Sequence, residues 1–292
     1  MEQLLVYGII LGSIIALGAI GLSLTYGILN FPNFAHGDMM ALGAYLALFL
    51  HAGLHWPLTL AAAGAIVLTG VIAIGIDRAI YRRLRRTGPV SLLIASVGVA
   101  LVVRYGIQLI WGPQTEVYIQ GIQLPYRFDW LGGIRIKPSQ IGILITAGLL
   151  VVAVHLLLTR TRLGKAMRAL ADNPELARVS GIPTERVIAW TWALGSGLAA
   201  AGGILLGIET FLRPPMGWNV LLPIVAAVIL GGIGSAHGAM LGGMIIGVSQ
   251  ELSTAFLPTE YKPLIAFALL VAILIARPSG LAGVPAAGRG RV

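Results

Sequence analysis

Nine long apolar runs follow one another along this chain: Leu4–Tyr26, Phe34–Leu50, Pro57–Ile76, Pro89–Trp111, Ser139–Leu158, Val187–Ile208, Asn219–Gly231, Ser235–Ala255 and Pro263–Ala276. Most approach the ~20 residues a helix needs to cross ~30 Å of hydrocarbon. In that medium every backbone N–H and C=O must be paired internally, so only helices and closed barrels can span it. A barrel would show ~10-residue alternating strands, and the runs show none. Charged residues make up 11% of the 292 residues, against about a quarter in a soluble domain. The expected fold is therefore all-α: a polytopic membrane protein, a single transmembrane domain over 1–292, with about eight or nine transmembrane helices. Glu2 stands where a signal peptide carries basic residues, and the first run is too long for a signal h-region. It is expected to be a retained first helix.

The formal charge is +9, but the basic residues are scattered between the runs, which points away from a nucleic-acid surface and toward membrane orientation. Threaded in strict alternation with the N-terminus outside, the inner segments hold fourteen Lys/Arg: five in Arg78–Arg86, six in Arg160–Arg186 and three in Arg277–Arg291. The outer segments hold five, namely Arg127, Arg135, Lys137, Arg213 and Lys262. The excess marks the cytoplasmic side and leaves the C-terminal tail, 277–292, inside the cell. Asn219–Gly231 is short and contains Pro223, so it reads either as a ninth span or as a broken or re-entrant element; in the second case the count is eight and the parity after it reverses. The outer loop, 112–139, is expected to form an external cap, with a small hairpin about Gln120-Gly121 and with Trp111, Tyr118, Tyr126 and Trp130 suited to the interface.

No cysteine is present, so there is neither a disulfide framework nor a thiol site. No G-x-x-x-x-G-K-[ST] occurs to cradle nucleotide phosphates, and there is no H-E-x-x-H or nucleophile elbow. Catalytic and metal-ligating residues are expected to be absent, and no cofactor is expected on this chain.

The segment 160–186 is the most informative polar stretch. Gly164–Ala171 has the pattern of a short helix. Asp172-Asn173-Pro174-Glu175 then signals a second helix start, with a capping side chain, proline at the first position and a carboxylate in the first turn. Leu176 and Arg178 follow, Gly181 supplies the stop and Pro183 blocks resumption. A two-turn helix is unstable alone in water. It must lie either on its own protein or in a partner's groove.

Three stretches carry a family resemblance: "NFAHGDMMALGAY", "MRALADNPELARVSGIPTERVIAWTWALGSGLAAAGGILLG" and "GGIGSAHGAMLGGMIIG". Together they resemble the inner-membrane permeases of branched-chain amino acid ABC importers, in the expected order over nearly the whole chain. The resemblance implies a bacterial-type cytoplasmic (inner) membrane location and pairing with an identical or homologous permease subunit. It further implies two ATPase subunits inside, where ATP is used, and a substrate-binding protein outside. Transport would be of leucine, isoleucine, valine or related small amino acids; urea or short amides are the alternative within the class. The loop around Asp172–Gly181 would be the coupling helix. An ion-coupled secondary transporter is the rival from another class; it would need carboxylates near the midplane.

Ionisable groups inside spans are costly and mark sites by default. Asn33, Phe34, His36, Gly37 and Asp38 are expected near the inner mouth of the second span, with Gly37 loosening its first turn. His36 and Asp38 either serve the helix start locally or line an inner gate. His237, a further gate candidate, sits in a second Ala-His-Gly-x-Met segment, which is either chance or a trace of duplication. Arg104, Glu209 and Glu251 lie toward the outer ends of their spans; they either snorkel to headgroups or, with Gln108, form a vestibule offering both charge signs to a zwitterion. Small-residue stripes at Gly8, Gly12 and Ala16, at Gly195, Ala199, Gly203 and Gly207, and at Gly234, Gly238 and Gly242 predict close helix contacts.

Overall fold

A computed structural model describes residues 1–85, 87–118, 124–128, 133–277 and 279–282. All nine apolar runs are helical. They are α1 (Glu2–Leu29), α2 (Ala35–Leu48, continued by a π turn to Gly53), α3 (Leu58–Ile76, continued through a π turn at Asp77–Tyr81 to Leu84) and α4 (Pro89–Trp111). A two-stranded ribbon, β1 (Tyr126–Phe128) and β2 (Ile134–Ile136), precedes α5 (Pro138–Arg160). Two short helices, α6 (Arg162–Asp172) and α7 (Pro174–Val179), lead to α8 (Thr184–Glu209). The chain ends in α9 (Met216–Gly231), α10 (Ala236–Ser253) and α11 (Lys262–Ala276). Six of the nine are long and apolar enough to cross a membrane by length and composition, and α9 is a shorter apolar helix.

Helix direction follows from the close contacts. Gly8 of α1 meets Val248 and Gly27 meets Gly234, so α10 runs antiparallel to α1. Gly21 meets Gly195 while Gly202 meets Ile14 and Gly18, so α8 is also antiparallel to α1. Gly231 lies on Gly238 and Ala227 on Gly242, which makes α9 and α10 an antiparallel pair. The helix runs unbroken through Pro223. The re-entrant alternative for this segment is thereby set aside, and direction alternates through all nine helices among the described residues.

Glycine and alanine decide the packing, because lipid offers helices no hydrophobic reason to associate and van der Waals contact must do it. The stripe at Gly8, Gly12 and Ala16 seats α10 directly: Gly12 touches the Met244 backbone and Ala16 touches Gly243. The α8 stripe divides, with Gly195 against Gly21 of α1 and Gly203 against Met40 of α2. The third stripe also divides, Gly234 facing α1 while Gly238 and Gly242 face α9. As a result α8 lies at the centre, with 83% of its apolar window buried, whereas α11 is peripheral at 6%.

At the end of the molecule opposite α6 and α7, β1 and β2 pair with Tyr126 opposite Ile136. Gln3 extends this ribbon, donating to the Arg135 carbonyl at 2.8 Å and accepting from its N–H at 2.9 Å. Tyr118 is buried and its hydroxyl donates to the Ala44 carbonyl at 2.6 Å, which fastens the loop onto α2. Burial raises the Tyr118 pKa well above the usual phenol value, so the hydroxyl remains a donor. The expected hairpin about Gln120-Gly121, Trp130 and most of the tail lie outside the described residues.

Candidate translocation and coupling sites

The chain between α1 and α2 turns back before the second span begins. Asn33 Oδ1 accepts from the Ala35 N–H at 3.1 Å, and the Phe34 N–H donates to Ser96 Oγ of α4 at 3.1 Å. His36 then places Nε2 at 2.9 Å from the Gly18 carbonyl. A carbonyl can only accept, so Nε2 carries the proton. Gly21 leaves room for the ring, since a Cβ there would lie 3.1 Å from His36 Cε1. Gly18 is eleven residues before the end of α1, so His36 is buried deep in the bundle and not at its inner mouth.

Asp38 lies two residues further along, fully buried. Both its oxygens accept from Arg104, Oδ1 from Nε and Oδ2 from Nη2, each at 2.9 Å. The guanidinium also lies 4.6 Å from the Trp218 ring centroid, and Trp218 tilts against Phe34 at 6.5 Å. One ion pair therefore joins α2, α4 and α9. Breaking a buried pair leaves an uncompensated charge and costs about 3–5 kcal/mol. Gly37 does not merely loosen a turn: a Cβ on it would press on the Gly217 carbonyl, and one on Gly217 would collide with that of Gly37. The two glycines let α2 and α9 touch backbone to backbone where Trp218 meets Arg104.

Of Arg104, Gln108, Glu209 and Glu251, read either as snorkelling or as an outer vestibule, Arg104 is taken up inside the bundle. Arg104, seven residues before the end of α4, turns to Asp38. Glu209 accepts from Gln140 at 2.8 Å, and Glu251 pairs with Lys262 at 2.6 Å. Gln108 stands one turn beyond Arg104, partly buried. Sequence reasoning missed the Asp38–Arg104 partnership, although a signal was present: one carboxylate and one guanidinium inside different spans each demand a counter-charge.

The repeated Ala-His-Gly segment has no common role. His237 is exposed near the start of α10 and its Nε2 lies 2.7 Å from His155 Nδ1 of α5. Ser235 caps that helix through the Gly238 N–H at 3.1 Å. His36, by contrast, is buried against α1.

At the basic end, Thr161 caps α6 and Asn173 caps α7, where Oδ1 accepts from the N–H groups of Glu175 at 3.0 Å and Leu176 at 2.9 Å. Asp172 is the last residue of α6 and takes no part in that cap. Gly181 has φ +81°. Its N–H donates to the Arg178 carbonyl, and that of Ile182 to the Ala177 carbonyl, each at 3.1 Å, closing the helix as a Schellman motif. Only Ala177 of α7 is buried. Leu176 is 61% and Val179 80% exposed, flanked by exposed Glu175 and Arg178. A rigidly capped helix thus rests on one small residue and projects the rest.

The family described as "Branched-chain amino acid transport system / permease component" matches residues 4–274. The chain belongs to this permease family. It is 35% identical to the high-affinity branched-chain amino acid transport system permease protein LivH of Salmonella typhimurium, over 95% of this chain and 94% of that one. It is 34% identical to the corresponding BraD protein of Pseudomonas aeruginosa, over 97% and 96%. It is also 30% identical to the probable branched-chain amino acid permease LivH of Methanocaldococcus jannaschii, over 97% and 93%. Among solved structures, a chain of PsaBC from Streptococcus pneumoniae in complex with Fab superposes with TM-score 0.52 at 11% identity, covering 95% of this chain and 92% of that one. That likeness concerns the fold. The permease is thus a multi-pass membrane transport subunit of the branched-chain amino acid ABC class, the class expected from its sequence.

Proposed function

We propose that this permease carries branched-chain or related small amino acids across the inner membrane by alternating access, with ATP hydrolysed on separate subunits. The observation that carries the reading is the full-length relationship to permease proteins named for high-affinity branched-chain amino acid transport. In this reading a second permease copy or homologue completes the path, two ATPase subunits dock at the basic, cytoplasmic end, and a binding protein delivers solute at the opposite face.

The projecting α7 supports the docking side. Leu176 and Val179 offer apolar anchors to a groove, Glu175 and Arg178 orient them, and the two caps transmit displacement without unwinding. Residues Asp172 to Gly181 then form the coupling element. The ion-pair node at Asp38, Arg104 and Trp218 ties α2, α4 and α9 at depth, where a change of access must repack helices. Asn33, Phe34, His36 and Gly37 hold the first turn of α2 in register with that node. Both Asp38 oxygens are engaged by Arg104, which leaves no free carboxylate there for ion coupling.

The test is uptake of radiolabelled leucine into proteoliposomes holding the permease with its co-purified ATPases and binding protein. ATP-dependent uptake that survives a protonophore supports the reading; uptake that collapses with the proton gradient overturns it. Glu175→Lys is expected to reduce ATP-driven uptake at least about tenfold, because it reverses the charge at the exposed first turn of α7, while leaving the bundle folded. Full uptake by Glu175→Lys would remove α7 from the coupling role.

A further inference from the structure

Where α3 extends past its apolar part through the π turn, it and the start of α8 flank an open cleft of about 340 Å³ at the basic end of the bundle. Its charge balance is unequal. Of the two carboxylates on its wall, Asp77 is held by Arg85 Nη2 at 2.6 Å. Glu185 accepts from Arg85 Nη1 at 3.2 and 3.3 Å and pairs with Arg82 Nε at 3.2 Å. Both carboxylates are thus consumed by Arg85 and Arg82. Arg78 and Arg186 face the same cavity and have no ion pair among the described residues. The Arg85 Nε is also buried without a partner.

The end of the cavity nearer the middle of α3 and α8 is apolar. Ile74, Ala189 and the 55% exposed indole of Trp190 line it. From Ile74 the apolar surface continues away from the basic end through exposed Val71, Val67 and Leu60, which share one face of α3 at helical spacing. Two uncompensated guanidinia therefore sit at the top of an apolar track, beside an interfacial tryptophan. A free phosphate would satisfy the arginines but leave the track unused. A zwitterionic lipid would bring its own cation against them.

From this we infer that the cavity binds an anionic phospholipid of the basic-side leaflet, its headgroup phosphate between Arg78 and Arg186 and one acyl chain along Ile74, Val71 and Val67. Guanidinium forks match phosphate oxygens bidentately, and basic pockets between transmembrane helices at the cytoplasmic face suit acidic headgroups. Because the cavity wall includes the first turn of α8, directly after α7, the lipid would brace the base on which the projecting helix is mounted.

The experiment is native mass spectrometry of the permease in mild detergent, titrated separately with phosphatidylglycerol, phosphatidylcholine and inorganic phosphate. Phosphatidylglycerol is expected to be retained over phosphatidylcholine. Arg78→Gln and Arg186→Gln are each expected to weaken that retention about fivefold, the worth of one basic side chain at an anionic surface, while Lys165→Gln leaves it unchanged. Equal retention of both lipids, indifference to both arginine substitutions, or displacement of the lipid by millimolar phosphate would each overturn the proposal. So would loss of ATPase co-purification from the arginine variants with lipid retention intact, since the cavity would then be a protein interface. A second measurement on the wild-type framework uses phosphatidylglycerol brominated along its chains. Its saturable quenching of tryptophan fluorescence should fall in Trp190→Phe, and quenching that is unchanged overturns the placement of the chain.

Discussion

Asp38 is fully buried, and the charge that makes its carboxylate tolerable there comes from Arg104. The pair is bidentate, and the guanidinium face is covered by Trp218. Asp38→Asn and Arg104→Gln are each expected to destabilise the solubilised permease by about 3–5 kcal/mol, the larger loss falling to Arg104→Gln because it strands the fully buried partner. The double substitution should lose much less than the sum, since each change removes the same interaction. Denaturant-unfolding measurements on the four proteins give the coupling directly. Additive losses would mean that the two groups act independently.

At the scale of elements, the contact between α2 and α9 is made by backbone meeting backbone at Gly37 and Gly217. Side chains elsewhere can give way; a carbonyl one helix away cannot. Gly217→Val is therefore expected to cost about 1–3 kcal/mol through overpacking and to lower the thermal midpoint. Gly142→Ala on α5, where a Cβ meets nothing, should leave it unchanged or raise it slightly. The short helix α7 obeys a different rule, because its stability is local. Asn173→Ala removes the oxygen that satisfies two N–H groups and is expected to cost about 1 kcal/mol, read as faster amide exchange in α7 with exchange in α8 unaffected.

For the whole molecule, strictly alternating helix direction puts α6 and α7 at one end and the β1–β2 ribbon at the other. The chain has no cysteine, so single cysteines report sidedness without background. With inverted and right-side-out vesicles, Val179→Cys should react with an impermeant maleimide only from the cytoplasmic side, and Leu124→Cys only from the outside. Reaction of both from one side would refute the alternation.

What lipid demands of a chain can be read along its residues. Run length and the scarcity of charge required helices, and nine runs became nine helices. The basic residues at 78–86 and 160–186 predicted a shared end, and Arg82 and Arg85 meet Glu185 there. The caps of α7 could also be read, because Asn173, Pro174 and Gly181 act on backbone groups only a few residues away. Tertiary structure alone decided how α9 runs through Pro223, that His36 lies deep against Gly18, and that Arg104 answers Asp38 and not Glu209 or Glu251. It also gave two identical Ala-His-Gly segments unlike surroundings. The physical reason is range. Propensity, capping and hydropathy are local and act along the chain, whereas a buried charge is settled by whichever counter-charge the packing of glycine faces brings within 3 Å, and that packing joins residues far apart in sequence.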